Sequence, residues 1–503
     1  MARPEPGALL IRGARLVDPA KRRADAADVL VEGGVIRAVG ADLAVPEAAR
    51  VEDASGLLIH PGLVNAHTHG HGGLARGHAD RWTLELLLAA APWISGGRSL
   101  ADKKLSAQLC AAEMALKGVT ACYDLYAEAP LPTREGLDAA AEAYAEVGLR
   151  AVIAPMVADR TVFDAVPGLM DALPDALRRR VDGLRPSPAE ATLAAVGEIL
   201  RHWRWDSEDI LAAVAPTIPL HCADAFLCGC GRLAEEHGVG LHSHVAESKL
   251  QALAGLRRYG RSLVAQMDSL GLVDPRFTAA HAIWLTDDDL RLLAGRGAAI
   301  AHNPGSNMRL GNGMFRLRRA LDLGVAVGIG TDGVSSSDTL NMYEAMRAAF
   351  HLAAVQTPDP ALWASAEEVW RAGTTGSARA LGFADIGAIA PGMKADIVFL
   401  DLAHPNWMPM NGTVNQIVHT EDATALRHVM VGGRFIVRDR RLLTLDLARL
   451  AREAEAARER LESLNAERRE LFALLEPVVR SFCPAFARQP YPVRRYLCDA
   501  PAP

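Results

Sequence analysis

Apolar and polar residues alternate along the first sixty positions. LLIRGARLVD, DVLVEGGVIRAVG and ARVEDASGLLIH carry the period of two that marks half-buried strands, broken at Gly-containing turns. The same pattern returns far downstream, in ADIVFLD at 395–401 and LRHVMVGGRFIVRDR at 426–440, where VGG at 431–433 predicts a hairpin turn. Neither block is large enough for a good independent domain, so the two are expected to pair into one small β-sandwich. Between them the pattern becomes apolar strand, loop and helix in repetition. Strands are expected at 62–69, 118–125, 149–156, 210–219, 238–247, 277–285, 297–304 and 326–333, with Ala-, Leu- and Glu-rich helices between most of them, for example at 133–147 and 186–203. Eight apolar strands separated by helices predict a closed parallel barrel, buried on both faces. Residues 444–480 are charged, with leucines at helical spacing, which predicts an amphipathic helix or helix pair packed outside the barrel or at a subunit contact. The last stretch, RQPYPVRRYLCDAPAP, is Pro-rich and expected to be extended.

The expected fold is therefore α/β: a (β/α)8 TIM barrel with a small β-sandwich formed by both chain ends and a C-terminal helical tail. The division runs 1–61 (sandwich, first part), 62–384 (barrel), 385–443 (sandwich, second part) and 444–503 (tail). Composition narrows the partners. The chain has 503 residues, 50% of them hydrophobic, and a formal charge of -6, so it offers no basic field for nucleic acid or anionic lipid. Seven cysteines in no metal or disulfide spacing, an N-terminus without a long apolar region and no run of 18 apolar residues predict a cytoplasmic protein with no membrane partner.

In five of the eight expected strands the polar residues sit at the C-terminal end, where a (β/α)8 barrel places its active site. His67 and His69 end the first. Positions i and i+2 of a strand point the same way, so both imidazoles face the axis and can chelate one ion. A lone HxH is weak evidence, since two polar strand-end residues give the same pattern. His244 ends the fifth strand with Glu247 three residues on, His281 lies in the sixth, and Asp332 ends the eighth. Each is competent for metal binding or proton transfer, and all converge on one mouth. Three imidazoles and a carboxylate suit one divalent ion, Zn2+ or alternatively Fe2+.

PGLVNAHTH, HSHVAES, HNPGSNMRLGNG and GTDG together resemble the motif set of the amidohydrolase superfamily. Within it they resemble the branch of aminohydrolases and chlorohydrolases that acts on N-heteroaromatic rings, which includes guanine deaminase, S-adenosylhomocysteine/methylthioadenosine deaminase and the triazine hydrolases. IGAIAPGMKADIVFLDL and VMVGGRFIV resemble the family's returning sandwich strands, so the likeness covers about residues 8 to 445 and leaves out the tail. The resemblance implies His67, His69, His244 and Asp332 as metal ligands, Glu247 as proton shuttle and His281 as contact to the attacking water. It implies hydrolytic deamination of a heterocyclic amine, with Asp332 passing a proton to the leaving ammonia. Binuclear relatives carry a bridging lysine at the end of the fourth strand; residues 118–248 contain no lysine, which favours one metal. The same site admits chloride, alkylamine or cyclic amide as leaving group. A catalytically inactive binding barrel would have lost a ligand or Glu247, and all are present. Resemblance and tail together imply a homodimer or higher oligomer.

Other residues are read against packing roles. His71 and Trp93 are candidate substrate contacts, Trp93 equally a core residue. Asn307, with Asn303 and Ser306, is expected to shape the seventh-strand loop first and touch ligand second. His78 and His221 are further candidates near the mouth. Ser335, Ser336 and Ser337 line the site or form a turn. His302 is expected to be structural, and Cys228 to Cys230 to lie on a helix. The run HTHGHGG departs from typical guanine and adenosine-type deaminases, and no arginine, Arg150 and Arg160 included, fixes a substrate.

Overall fold

The structure of the protein, a computed structural model, describes residues 7–19, 21–205 and 208–497. Both chain ends contribute to one antiparallel-rich sheet. Its strands are β1 (Ala8–Leu16), β2 (Asp25–Glu32), β3 (Val35–Gly40), β4 (Arg50–Asp53) and β5 (Leu57–Pro61) from the start. The far end adds the strands Ile397–Asp401, Leu426–Val431, Arg434–Arg438 and Arg441–Leu442. The two halves join where β5 pairs antiparallel with Ile397–Asp401, Ile59 opposite Phe399. Gly33 and Gly34 turn the β2–β3 hairpin, and Gly432 and Gly433 turn the downstream one; all four have positive φ, as a two-residue hairpin turn of this hand requires. The tips meet: a Cβ on Gly34 would lie 2.9 Å from the Gly432 carbonyl oxygen. Leu9, Ile11, Val29, Ile36, Ile59, Ile397, Phe399 and Met430 fill the shared core, so the expected two-ended sandwich is what forms.

The barrel strands follow in chain order: β6 (Leu63–Thr68), β7 (Val119–Ala127), β8 (Arg150–Val157), β9 (Ile210–Pro216), β10 (Gly240–Val245), β11 (Phe277–His281), β12 (Ala299–His302) and β13 (Ala326–Ile329). Each pairs in parallel with the next. Alternate residues such as Ala121 and Tyr123, Val152 and Ala154, Ala213 and Ala215, and Ala299 and Ala301 form one cluster, the filled interior of the barrel. The ring closes between β6 and β13 without a regular ladder. Asn65 stitches the seam: its Oδ1 accepts from the Thr331 amide at 3.0 Å and its Nδ2 donates to Thr331 Oγ1 at 2.7 Å, while the Asp332 amide donates to the His67 carbonyl at 2.9 Å. Three expected strands end three or four residues early, the eighth of them at Ile329 and so short of Asp332. β11 stops at His281, because His281 and Ala282 adopt positive φ of 64° and 53°, and β9 gives way to a turn at Pro219–His221.

The tail is a helix pair, Leu447–Leu464 and Ala466–Ala487, broken at Asn465. It packs outside the barrel, on the helix α1 (Leu84–Ile94): Phe472 lies against Trp82 and stacks on Trp93, centroids 5.0 and 5.7 Å apart, and Arg257 sits over Phe486. No helix among the described residues is long and apolar enough to cross a membrane.

Candidate active site

The strand ends bring His67, His69, His244, His281, Glu247 and Asp332 together. What aims the imidazoles is the partner of each far nitrogen. The His69 Nδ1–H donates to the Leu125 carbonyl at 2.8 Å and the His244 Nδ1–H to the Thr217 carbonyl at 2.6 Å. A backbone carbonyl only accepts, so in both rings Nε2 is left with its lone pair toward the centre. His67 Nδ1 faces His242 Nε2 at 3.2 Å, and the buried His67 Nε2 has no hydrogen-bond partner. His69 Nε2 and His244 Nε2 are 3.3 Å apart, and Asp332 Oδ1 lies 3.1 Å from His69 Nε2 and 3.6 Å from His67 Nε2. Ligand atoms of His67, His69 and His244, and of His67, His281 and Asp332, lie within 4.8 Å of one another. Nitrogen and carboxylate donors crowded this closely, with one imidazole nitrogen orphaned in the interior, fit a single borderline divalent ion.

Backbone strain accompanies this arrangement. Ala246, His281 and Asp332 hold positive φ of 49°, 64° and 61°, a region non-glycine residues avoid at a cost of roughly 1–3 kcal/mol each. The electrostatics separate the two carboxylates. Burial opposes ionisation of Asp332, but the imidazoles of His67 and His69 set against its carboxylate outweigh it and hold the group well below the usual carboxylate range. Glu247, 2% exposed, is pushed well above that range by burial, then by the charges of Asp332 and Glu85. Two acids a few residues apart in space are thus set for opposite protonation states. Burial holds His67, His244 and His281 in their neutral forms.

Glu247 Oε1 accepts from Asn312 Nδ2 at 3.0 Å and lies 3.7 Å from His281 Nε2. Asn307 is fully buried behind His281, its Oδ1 2.9 Å from His281 Nδ1 and its Nδ2 3.5 Å from His302 Nδ1. Its amide is engaged on both sides, which orients His281. His71 adjoins His69, centroids 5.3 Å apart, and its Nδ1 accepts from the Ala127 amide, which leaves Nε2–H as a donor. Trp93 belongs to the Trp82–Phe472 cluster and also meets His78. His221 is buried at the end of β9, its pKa drawn down to about 4 by burial. Ser336 and Ser337 donate to backbone carbonyls of their own turn. Cys228 and Cys230 lie on the helix Asp224–Glu236. At the end of β9, where a bridging lysine would stand, the Thr217 carbonyl instead holds His244. Arg150 is far from the substrate question: it pairs with Asp396 at 2.8 Å.

Several contributing residues lie outside the expected set. His242 backs His67, Asn65 closes the seam, Asn312 holds Glu247, and Glu85 accepts from Ser248 Oγ at 2.9 Å. Asp124 holds the Gly70 amide directly after His69 and receives the Tyr144 hydroxyl, and burial raises its pKa to about 6. Asn65 and His242 each stand two positions before a site histidine, a spacing visible in the sequence. Asn312 and Glu85 give no such signal.

The chain matches the amidohydrolase family over residues 58–436, from within β5 to the strand Arg434–Arg438. It is 35% identical to a 5-methylthioadenosine/S-adenosylhomocysteine deaminase of Desulforudis audaxviator, covering 90% of this chain and 99% of that one. It is 31% identical to a 5'-deoxyadenosine deaminase of Methanosarcina mazei, covering 86% and 93%. Among solved structures, an adenosine deaminase from Xanthomonas campestris with bound zinc superposes with a TM-score of 0.78 at 29% identity, covering 92% of this chain and 100% of that one. The atrazine chlorohydrolase of Arthrobacter aurescens TC1, complexed with zinc, gives 0.80 at 26% identity, covering 90% and 100%. The match takes in every barrel strand and both sides of the β5 junction, and the chain belongs to the amidohydrolase family.

Proposed function

We propose that the protein hydrolyses an exocyclic amino group from an N-heteroaromatic ring, adenine nucleosides foremost, with one zinc ion held by His67, His69, His244 and Asp332. The observation that carries this is the convergence of the His67, His69, His244 and Asp332 ligand atoms at one barrel mouth, with Glu247 Oε1 3.7 Å from His281 Nε2 beside them. A divalent ion in such a site supplies Lewis acidity that brings a water's pKa to about 7. Asp332 accepts the proton of the attacking water and passes it to the departing ammonia. Glu247, steadied by Asn312, gives its proton to the ring nitrogen next to the reacting carbon, and takes back the proton of the added hydroxyl as the carbonyl forms and the C–N bond to the leaving ammonia breaks. His281, its Nδ1–H on Asn307, turns Nε2 toward the attacking oxygen. His71 offers its Nε2–H to a ring acceptor, and Trp93 walls the mouth from behind. The deaminase relatives support the amine as leaving group; the chlorohydrolase likeness carries the second reading, chloride on a triazine in the same site.

We also take 1–61 with 385–443 as one sheet unit, 62–384 as the barrel and 444–503 as an appended tail, and the protein as a cytoplasmic homodimer. The β5 junction supports the single sheet unit, and the free thiols of the six described cysteines suit a reducing compartment. The deciding assay is ammonia release by zinc-replete protein over adenosine analogues, other purines, pterins, pyrimidines and triazines. Activity is expected on at least one ring, and Glu247→Gln is expected to keep one zinc per chain while losing about 10²–10⁴ in kcat. Chloride or alkylamine release without ammonia would overturn deamination in favour of the second reading.

A further inference from the structure

The C-terminal segment after the tail helices lies outside the family match, yet it is tied to the loop behind Glu247. Arg495, 6% exposed, directs its guanidinium to backbone carbonyls: Nε donates to Ile283 at 2.7 Å, Nη2 to Leu285 at 2.5 Å and Nη1 to Arg494 at 2.9 Å. Its own carbonyl accepts from the Met314 amide at 2.8 Å, and Gly313, at φ +111°, packs against its Cβ. Tyr491 donates its hydroxyl to the Trp284 carbonyl at 3.2 Å, and the rings of Tyr491 and Tyr496 meet the indole edge-on, centroids 6.0 and 5.0 Å away. Trp284 is held between these contacts and the site. Its amide donates to the Ala246 carbonyl, one residue before Glu247, and its indole Nε1–H donates to the Asn312 carbonyl at 2.7 Å. Asn312 in turn donates to Glu247 Oε1 at 3.0 Å.

We propose that the segment Tyr491–Tyr496 is a strap that positions Glu247, acting from Arg495 through the Ile283–Leu285 loop, Trp284 and Asn312. This rests on Glu247 being the proton donor. The physical reason is that a loop with a free end at each side cannot hold a carboxyl within the tolerance that proton transfer demands, and a misplacement of about 1 Å costs on the order of 10² in rate. The buried guanidinium fixes the Ile283–Leu285 loop, because its planar fork prescribes where those two carbonyls lie, and the Arg495 backbone carbonyl holds the second loop at the Met314 amide. Arg495 and Trp284 are positioning residues, not catalytic ones.

The test is a double-mutant cycle on the full-length, zinc-loaded protein, with Arg495→Ala, Asn312→Ala and their combination. Trp284→Phe, which keeps the ring and removes the indole N–H, stands in if Arg495→Ala fails to fold. Each single change is expected to lower kcat about 10–100-fold with KM nearly unchanged and zinc still at one per chain. The combination is expected to be no slower than Asn312→Ala alone, since both remove the same restraint. Hydrogen exchange should show residues 282–286 and 312–316 losing protection in Arg495→Ala, a readout that needs no substrate. Wild-type kcat in a folded Arg495→Ala, multiplying losses in the combination, or unchanged exchange in those two loops would each overturn the strap. If no substrate reacts yet the loops still lose protection, the proposed reaction fails and the strap's hold on the loops stands.

Discussion

The nitrogen of a site histidine that faces away from the centre decides what the near one can do. Carbonyls behind His69 and His244 fix their tautomers, but His67 leans on another imidazole, His242, whose Nδ1 is buried without a partner. Groups behind a ligand typically tune affinity about 10–100-fold. His242→Ala is therefore expected to weaken zinc binding by that factor in a chelator competition, with little effect on folding of the metal-free chain. A second buried histidine acts on stability. His60 sits between the Pro61 carbonyl and the Tyr343 hydroxyl, and burial lowers its pKa to about 4. The unfolded chain, with His near its ordinary 6.5, takes up the proton first as the pH falls. Stability from neutral His60 is thus complete above about pH 6.5 and is lost toward pH 4, by about 3 kcal/mol at 1.36 kcal/mol per pH unit. Denaturant midpoints from pH 7 to 4.5 should fall less steeply in His60→Gln than in the wild type.

Strand ends carry the chemistry because a barrel strand that has left its ladder can turn its last residue, or one just beyond it, inward. Asp332 and His281 do so in left-handed backbone, and the seam between β6 and β13 supplies the rigidity that holds them there. Gly330 is where that seam is tightest. A Cβ there would lie 2.3 Å from Asn303 Oδ1, 2.8 Å from the His67 amide nitrogen and 2.9 Å from His67 Cβ. Two of these atoms belong to the β6 backbone and its first histidine, so neither can move aside without opening the ring. Gly330→Ala is expected to cost roughly 1–3 kcal/mol in thermal or denaturant unfolding, and to lower zinc content in proportion to the displaced His67.

Between its two sheets the molecule is held by a buried ion pair. Arg150, at the start of β8, places Nε 2.8 Å and Nη2 3.1 Å from the Asp396 carboxylate, which also accepts from the Gly432 amide at 2.7 Å. The pair links the barrel to both the strand entry and the hairpin of the returning sandwich. Removing the acid leaves the interior guanidinium with Asp209 as its remaining carboxylate partner, so the cost is that of unsatisfied donors, about 1–3 kcal/mol, and not of a stranded charge. Asp396→Ala is expected to lower the unfolding free energy by that amount, and Asp396→Asn by less, since an amide still accepts from Arg150. The tail helices cover α1 through Phe472, so the chain outside the family match is packed onto the protein that the family match describes.

Local pattern was enough for much of this. Strand periods, turn glycines and the HxH spacing depend on neighbours a few residues apart, so the eight barrel strands, the two-ended sandwich, the helix pair and the cluster of His67, His69, His244, Glu247, His281 and Asp332 could be read from the sequence itself. The early end of β11 could not, because His281 is turned by what it packs against and not by its own propensity. The roles of Asn307, Asn312 and Arg495 also came only from tertiary structure. Asparagine and arginine suit a loop surface as well as a buried network, and only the fold brings residues 247, 284, 312 and 495 within reach of one another. Spacing along a strand is fixed by covalent geometry; a contact between distant segments exists only once the barrel has closed and the tail has been laid across it.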